Sequence, residues 1–334
     1  MNRPKTVSMQ DIADAVGVSR ATVSNALRGK GRLSPETAKA IHEAAKRLNF
    51  VPSNLGRALR TGSSRTIGLV IPDFRMPLFA EFARAFALAA QEREMVLTVA
   101  DSMGCHERQA AHLAEMSARG VEMTLVIPMR GTPVEALPQT ENVLVIDAEN
   151  NPHNALSSDH FGGGLMMAEH LAALGHREIL LIDSDHKHDP RGASRVNDLR
   201  RSGFEAGFAR HGIRHQLLSI PARFDQICAH MADYDLRGVT AIAATYDVLA
   251  LGALHMLLAR GFKVPHEIAV TGFDDTVWGQ IIHPPLTTIR QDLSGLAQAA
   301  FDIAMGERER GLTLPVTLVE RASSAPPPSS GKPQ

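Results

Sequence analysis

From Thr66 onward, short apolar runs rich in Val, Ile, Leu and Ala alternate with longer stretches whose apolar residues repeat at helical spacing. The strand-length runs are 67–71, 96–100, 124–128, 143–147, 179–183, 241–245 and 268–272. The helical stretches between them include 78–93, 107–119, 161–174, 194–211 and 247–260. This alternation predicts parallel sheets with helices on both faces, which is an α/β core.

Polar residues follow several of these runs, in the region where a parallel sheet binds ligands beyond the carboxyl ends of its strands. They are Asp73, Asp147, Asp183, Thr245 and Asp274. Each residue alone is also compatible with ordinary loop chemistry. Taken together, they predict a binding cleft at this edge of the sheets.

The charge is distributed unevenly along the chain. Residues 1–60 hold eleven Lys and Arg against four acidic residues, a net +7, while the whole chain carries −1, which leaves −8 for the rest. A small basic segment beside an acidic body indicates a nucleic-acid-binding head, with a solvated basic face as the alternative.

Two distant cysteines, Cys105 and Cys228, make no disulfide framework, and no apolar run has the length of a membrane span. We therefore expect a cytoplasmic protein without membrane contact.

Residues 8–28 predict two short helices joined by a tight turn. Ile12 lies on the apolar face of the first helix, and Gly17 interrupts the pattern where the turn needs a positive φ. Ser19 is a natural N-cap for the second helix, and Pro35 opens a third. The spacing is typical of a helix-turn-helix, although a generic helical bundle remains compatible with it.

Three phrases carry a specific resemblance: DIADAVGVSRATVS at 11–24, S-P-E-T at 34–37 and LNFVPSNLGRAL at 48–59. In this order and spacing they resemble the LacI/GalR family of bacterial transcription regulators. The resemblance implies that the helix beginning near Arg20 enters the major groove of DNA. By the family's pattern, base-reading positions are Arg20, Ala21 and Asn25, and phosphate-contacting positions are Thr22 and Ser24. Many members have Arg where this chain has Asn25, and Asn favours adenine rather than guanine.

The same resemblance makes residues 51–64 a hinge that forms a short helix on the operator. Leu59 matches the leucine that wedges into the minor groove, and Ser53 and Arg57 match flanking contact positions. Gly56 stands where Ala is usual, which costs about 1 kcal/mol of helix propensity. We therefore expect weaker folding of this hinge.

The rest of the chain resembles the family's effector-binding core, itself similar to periplasmic sugar-binding proteins. The matching phrases include IGLVIPD at 67–73, HLAALGHREILLI at 170–182, DVLALGAL at 247–254 and VTGFDD at 270–275. The resemblance assigns effector binding to Phe74, Arg200, Tyr246, Asp274 and Gln291. A bidentate Arg suits hydroxyls or carboxylates. Tyr246 replaces an Asn common in sugar-responsive members, which argues against a plain hexose. We also expect Asp247 to be a helix N-cap.

These assignments divide the chain into successive regions. Residues 1–50 form the helix-turn-helix DNA-binding domain, 51–64 the hinge, and 65–322 the effector-binding and dimerisation core. Within the core, an N-subdomain covers about 65–160 and 290–316, and a C-subdomain about 161–289 and 317–322. Residues 323–334, rich in Ser and Pro, are expected to be a disordered tail.

The resemblance implies a repressor that binds a pseudo-palindromic double-stranded operator as a homodimer and responds to a sugar or related metabolite. The stripe at 79–88 is a candidate for the dimer interface or for the subdomain's own core. The alternative function is a solute-binding protein without a DNA role.

No enzyme motif and no cofactor motif is present, and Gly162-Gly163-Gly164 is not a dinucleotide fingerprint. Asp185, His186 and His188 form a polar loop that we interpret as solvated rather than metal-binding.

Overall fold

The computed structural model describes residues 7–27, 33–50, 64–138, 140–184, 194–220 and 224–328 of the chain. Contacts divide the chain into two compact units, Met1–Ser64 and Arg65–Gln334.

The described residues of the first unit form three helices. They are α1 (Met9–Val16), α2 (Arg20–Ala26) and α3 (Pro35–Arg47). Ser8 and Asp11 form a capping box at the start of α1, and Gly17 ends that helix with a φ of 75°. Ser19 caps α2 through a hydrogen bond from the Thr22 amide. These local features confirm the predicted helix-turn-helix.

The core of this unit takes side chains from all three helices. Ile12, Val23 and Ile41 are fully buried, one from each helix. Smaller residues, Ala13 and Ala44 among them, fill the space between. The polar residues of α2 are therefore left on its outer side.

The second unit contains twelve strands and eight helices in its described residues. The strands are β1 (Thr66–Ile71), β2 (Val96–Asp101), β3 (Met123–Val126), β4 (Val143–Ile146), β5 (Asn154–Ser158), β6 (Glu178–Ser184), β7 (Arg214–Ile220), β8 (Ala241–Ala244), β9 (Ala269–Thr271), β10 (Thr288–Gln291), β11 (Leu312–Leu314) and β12 (Val316–Val319). The helices are α4 (Pro77–Glu92), α5 (His106–Ala118), α6 (His160–Leu174), α7 (Val196–Arg210), α8 (Phe224–Met231), α9 (Asp247–Ala259), α10 (Val277–Ile281) and α11 (Leu293–Ala304).

These strands form two parallel sheets and a small antiparallel ladder. The first sheet has the order β11-β5-β4-β3-β1-β2, and the second has the order β7-β6-β8-β9. Strands β10 and β12 pair antiparallel. We call the first sheet with α4, α5 and α11 the N-subdomain, and the second sheet with α6 to α10 the C-subdomain. The predicted α/β core of parallel sheets is confirmed.

The apolar stripe at 79–88 divides between the core and the surface. Phe82 and Phe86 are fully buried in the core of the N-subdomain, and Leu88 is exposed. Most of the stripe therefore packs within its own subdomain.

Helices α6 and α7 cross with their backbones in direct contact. A Cβ built on Gly203 would come closer than 3.0 Å to the carbonyl oxygen of Phe161, and one on Gly164 would do the same against the carbonyl oxygen of Arg200. Real Cβ atoms essentially never approach other atoms this closely. The Gly-rich phrase at 162–164 is therefore a helix-packing feature, which sets α7 against the start of α6.

The predicted disordered tail is wrong for residues 323–328. Ser323 is fully buried; its Oγ donates to the carbonyl oxygen of Val270 at 2.6 Å and accepts from the amide of Thr287 at 2.8 Å. The backbone amide of Val270 also donates to the carbonyl oxygen of Ser323. Because Val270 lies on the edge strand β9, this segment supplies hydrogen-bond partners to a sheet edge. Residues 329–334 lie outside the described residues.

Among the residues that the structure describes, no helix combines the length and the apolar character needed to cross a bilayer.

Candidate DNA-reading helix and effector cleft

The predicted DNA-contacting residues of α2 lie on its outer side. Arg20, Ala21 and Asn25 are exposed, and Thr22 and Ser24 are half-buried. The inward face carries Val23 and Ala26, which are buried in the three-helix core. One side of α2 is therefore accessible to solvent while the opposite side stays packed in the three-helix core. The predicted hinge residues Ser53, Arg57 and Leu59 lie outside the described residues.

Arg200, a residue of α7 with only 1 % of its surface exposed, lies at the centre of a buried cluster that contains several of the predicted effector residues. Its Nε donates to His160 Nδ1 at 3.3 Å, and its Nη1 donates to the carbonyl oxygen of Thr245 at 2.8 Å. Its Nη2 lies 2.8 Å from Asp274 Oδ1. Three of its five N–H groups are therefore engaged inside the protein.

Two aromatic rings hold the same guanidinium in place. The Cζ atom of Arg200 lies 3.9 Å from the ring centroid of Phe273 and 4.7 Å from that of Tyr246. Both distances lie within the range of cation–π attraction. Burial raises the pKa of Tyr246, so its hydroxyl stays protonated and can donate or accept a hydrogen bond.

Asp274 is the acidic partner in this arrangement. Burial raises its pKa to about 7, and the charge of Arg200 opposes that rise. Gln291 Nε2 donates to Asp274 Oδ1 at 2.9 Å, and Ser158 Oγ donates to Gln291 Oε1 at 2.8 Å. The structure therefore brings together Arg200, Tyr246, Asp274 and Gln291, four of the five predicted effector residues.

The fifth predicted residue, Phe74, lies elsewhere. It is 44 % exposed and lines an apolar surface groove with Trp278 and Ile281. Beside it, hydrogen bonds from Arg75 hold the pKa of Asp73 below its ordinary value. The role of Phe74 in effector binding stays a prediction.

Sequence reasoning assigned no role to three polar residues beside this cluster. His160 Nε2 donates to Asp147 Oδ1 at 3.0 Å, Glu149 Oε2 accepts from the backbone amide of Arg195 at 3.0 Å, and Arg130 Nη2 lies 3.8 Å from Asp198 Oδ1. The sequence indicates Asp147 as a polar residue at the end of a strand. No local sequence pattern indicates a binding role for His160, Glu149 or Arg130.

Two atoms of this group are buried without a protein partner. Among the described residues, no group hydrogen-bonds to Glu149 Oε1 or to Arg130 Nη1. Leaving a buried polar atom unpaired costs about 1–3 kcal/mol. One acceptor and one donor are therefore available to a polar ligand, close to residues that connect the two subdomains.

A metal ion is poorly matched to this cluster. Asp147, Glu149 and His160 place one ligand atom each within 4.8 Å of one another. However, Arg200 can only donate, so His160 Nδ1 must accept and the proton must sit on Nε2. The ring therefore has no lone pair on the side of the two carboxylates. We interpret Asp147 and His160 as a hydrogen-bonded pair with Glu149 beside it.

Asp247 does not cap α9 as predicted, because Tyr246 is at the N-cap and Asp247 is the first helical residue. The Asp247 carboxylate accepts hydrogen bonds from the amide and hydroxyl of Thr276 at 2.8 and 3.0 Å, and from the hydroxyl of Thr288 at 2.6 Å. Burial raises its pKa to about 6. Asp247 therefore connects α9, β10 and the start of α10. The loop with Asp185, His186 and His188 lies outside the described residues.

Two family models match the chain. Residues 8–53 match the bacterial regulatory proteins of the lacI family, and residues 168–324 match the periplasmic binding protein-like domain. The first range contains the helix-turn-helix, and the second contains Arg200, Tyr246, Asp274 and Gln291.

Known proteins agree with both matches over most of the chain. The HTH-type transcriptional repressor PurR of Glaesserella parasuis is 28 % identical over 304 residues, covering 88 % of each chain. The lac repressor dimer bound to operator and the anti-inducer ONPF has the same fold, with a TM-score of 0.81 and 24 % identity, covering 96 % of this chain and all of the other. A complex of the transcriptional regulator CelR with cellobiose has a TM-score of 0.65 and 25 % identity, with coverages of 96 % and 100 %.

Proposed function

The chain belongs to the LacI/GalR family of bacterial regulatory proteins, and we propose that it is a DNA-binding transcriptional repressor controlled by a small molecule bound in its core. The observation that supports this proposal is the presence, on one chain, of a helix-turn-helix with an exposed polar face and a separate buried cluster around an Arg–Asp pair. A solute-binding protein without a DNA role would not need the first of these.

On the DNA side, we assign base reading to Arg20, Ala21 and Asn25 and phosphate contacts to Thr22 and Ser24. The exposed side of α2 supports this assignment, because these side chains can reach a groove while Val23 stays in the core. The resemblance adds Leu59 as the minor-groove wedge, with Ser53 and Arg57 beside it. The expected partner is a pseudo-palindromic double-stranded operator.

On the effector side, we assign binding to the cluster of Arg200, Tyr246, Asp274 and Gln291, extended by the unpaired atoms of Glu149 and Arg130. This set offers N–H donors, carboxylate and amide acceptors and a phenol hydroxyl, which suits a polyhydroxylated molecule. The cellobiose complex of CelR supports a sugar or sugar derivative as the class of effector. The proposal includes no catalytic step and no cofactor.

Control of DNA affinity follows from the position of the cluster between the subdomains. Asp147 and Glu149 follow a strand of the N-subdomain, whereas His160, Arg195 and Arg200 lie on or beside helices of the C-subdomain. An effector that adds contacts on both sides stabilises one relative orientation over the other. Only such a difference in affinity between two states can change operator binding.

We propose that the protein acts as a homodimer in the cytoplasm, where its DNA target lies. The dimer contact is assigned to the face on which α4 exposes Leu88 and α10 exposes Trp278 and Ile281. We keep the division into a DNA-binding domain at 1–50, a hinge at 51–64 and a core at 65–322.

The experiment that tests the function is selection of genomic DNA fragments by the purified full-length protein at near-physiological salt. We expect a pseudo-palindrome, and Asn25→Ala should lower affinity for it by about 1–3 kcal/mol while leaving non-specific binding unchanged. Gln10→Ala is the matched control, because Gln10 is also an exposed amide but lies on α1 and bonds to Asp14. Recovery of no specific sequence, with and without cell metabolites, would favour the solute-binding alternative.

A further inference from the structure

Glu81 joins the two subdomains at a point outside the Arg200 cluster. It lies on α4 of the N-subdomain, and its Oε1 accepts a hydrogen bond from the backbone amide of Val277 at 3.0 Å. Val277 is the first residue of α10, in the C-subdomain. This bond therefore exists only in a relative orientation that brings α4 against the start of α10.

The start of α10 needs a partner from outside. Its N-cap residue, Thr276, makes no side-chain capping bond to the helix. The Thr276 hydroxyl donates instead to Asp247 Oδ2 at 3.0 Å. First-turn amides have no partner within their own helix, and a carboxylate near them is favourable. Glu81 therefore supplies, from the other subdomain, the cap that α10 lacks.

The bond from the Val277 amide also stabilises the charged form of the Glu81 carboxylate, which its surroundings disfavour. Burial raises the pKa of Glu81, and the negative charge of Asp275 acts in the same direction. The Val277 amide and the nearby charge of Arg84 oppose that rise. Rotation of the subdomains would leave both Glu81 and the first amide of α10 to find other partners.

We infer that Glu81 is a positioning residue whose bond to the Val277 amide favours one subdomain orientation and so sets the operator affinity of the protein. The inference rests on the proposed function, since it concerns the equilibrium by which the effector would act. It adds a contact on the outer face of the molecule, beyond the effector cluster. It also connects subdomain orientation with α10, which carries exposed apolar residues.

The chain provides its own reporter for this contact. Trp278 is the only tryptophan in the sequence, follows Val277 directly and is 53 % exposed. Because α10 also belongs to the proposed dimer face, the quenching of Trp278 by acrylamide is compared at one protein concentration and with the same fraction of dimer in every variant. Under that condition it reports how well the first turn of α10 is held, without requiring DNA or effector. Operator affinity, measured on the selected fragment, reports the coupling.

The test compares three variants of the full-length protein. Glu81→Ala removes the acceptor, Glu81→Gln keeps an oxygen that can accept from the Val277 amide, and Glu92→Ala is the control. Glu92 lies on the same helix and accepts from Gln298 Nε2 at 2.7 Å, a bond within the N-subdomain. We expect Glu81→Ala to increase quenching of Trp278 and to shift operator affinity about three- to tenfold, the factor that one hydrogen bond supplies. The shift is upward or downward according to which orientation binds DNA.

We expect Glu81→Gln to restore wild-type values and Glu92→Ala to retain them. Unchanged quenching in Glu81→Ala would show that the bond does not hold α10. Increased quenching with unchanged operator affinity would reduce Glu81 to a helix cap, and an equal shift in Glu92→Ala would show a general effect of charge. A wild-type protein without specific DNA binding would refute the proposed function itself, a result distinct from these.

Discussion

Replacing Gly203 by Ala tests whether the contact between α6 and α7 positions the effector cluster. The new Cβ would meet the carbonyl oxygen of Phe161 and would lie 2.9 Å from the amide nitrogen of Leu165. Both obstacles are backbone atoms of α6, so no side-chain rotation relieves them. The helices must separate by about 1 Å to restore an ordinary contact distance.

Two opposing contributions set the expected size of the effect. Ala favours a helix over Gly by about 1 kcal/mol. Forcing an extra carbon into a close-packed contact costs about 1–3 kcal/mol, and more when the backbone must move. We expect the clash to dominate, with a net loss of about 2 kcal/mol in the free energy of unfolding and a fall in Tm of about 4–8 °C.

The consequences should reach Arg200, which lies one turn before Gly203 on α7. Its hydrogen bond to His160 on α6 is already 3.3 Å long and would not survive a 1 Å separation of the helices. Urea unfolding gives the stability, and Ala206→Gly is the control because Ala206 is exposed on the same helix. The control should lose only the helix propensity, about 1 kcal/mol. A Gly203→Ala protein as stable as the wild type would contradict the backbone contact.

Three further changes test other parts of the same unit. Arg200→Ala should abolish the effector response and destabilise the protein by about 3–5 kcal/mol, since it leaves Asp274 buried without its cation, and adding Asp274→Asn should recover part of that loss in urea unfolding. The folded state raises the pKa of Asp247 from 3.8 to about 6 and so binds this proton more tightly than the unfolded state. The contribution of Asp247 to the free energy of unfolding should therefore fall by about 2 kcal/mol as the pH rises from 4 to 6. A pH series of Asp247→Asn should show a fall smaller by that amount, and the remaining fall should come from Asp274, whose pKa is also raised by burial. Ser323→Ala should cost about 1–3 kcal/mol in the same assay, because it leaves the Val270 carbonyl and the Thr287 amide unpaired; an unchanged stability would contradict the edge-pairing role.

The sequence predicted those elements whose signals are local. Gly17 and Ser19 mark helix ends within four residues of their partners, and the structure confirms both. The central strands were also predicted, because a strand buried on both faces is a continuous apolar run, as β1 and β8 are.

The elements that were missed depend on distant partners. Strand β7, with the sequence RHQLLSI, is mostly exposed on an edge of its sheet and lacks an apolar signature. The same reason explains Ser323, whose low-complexity surroundings predict disorder. Its buried position depends on Val270 and Thr287, which precede it by more than thirty residues. Composition cannot report a partner at that distance.

For the candidate effector site, the resemblance selects residues that the structure brings together, but it does not show how those residues contact one another. The resemblance selected Arg200 and Asp274 as ligand contacts, yet in the structure they first contact each other at 2.8 Å, from positions on separate segments of the chain. Two of the five guanidinium N–H groups are not accounted for by the described hydrogen bonds of Arg200, so an effector bound as we propose would have donors to use without breaking the pair. An effector that instead replaced Asp274 would have to supply an equivalent acceptor to a buried cation. Of these two modes, the first leaves the connection through His160 to Asp147 intact. It therefore allows ligand binding and subdomain orientation to be coupled through one continuous set of hydrogen bonds.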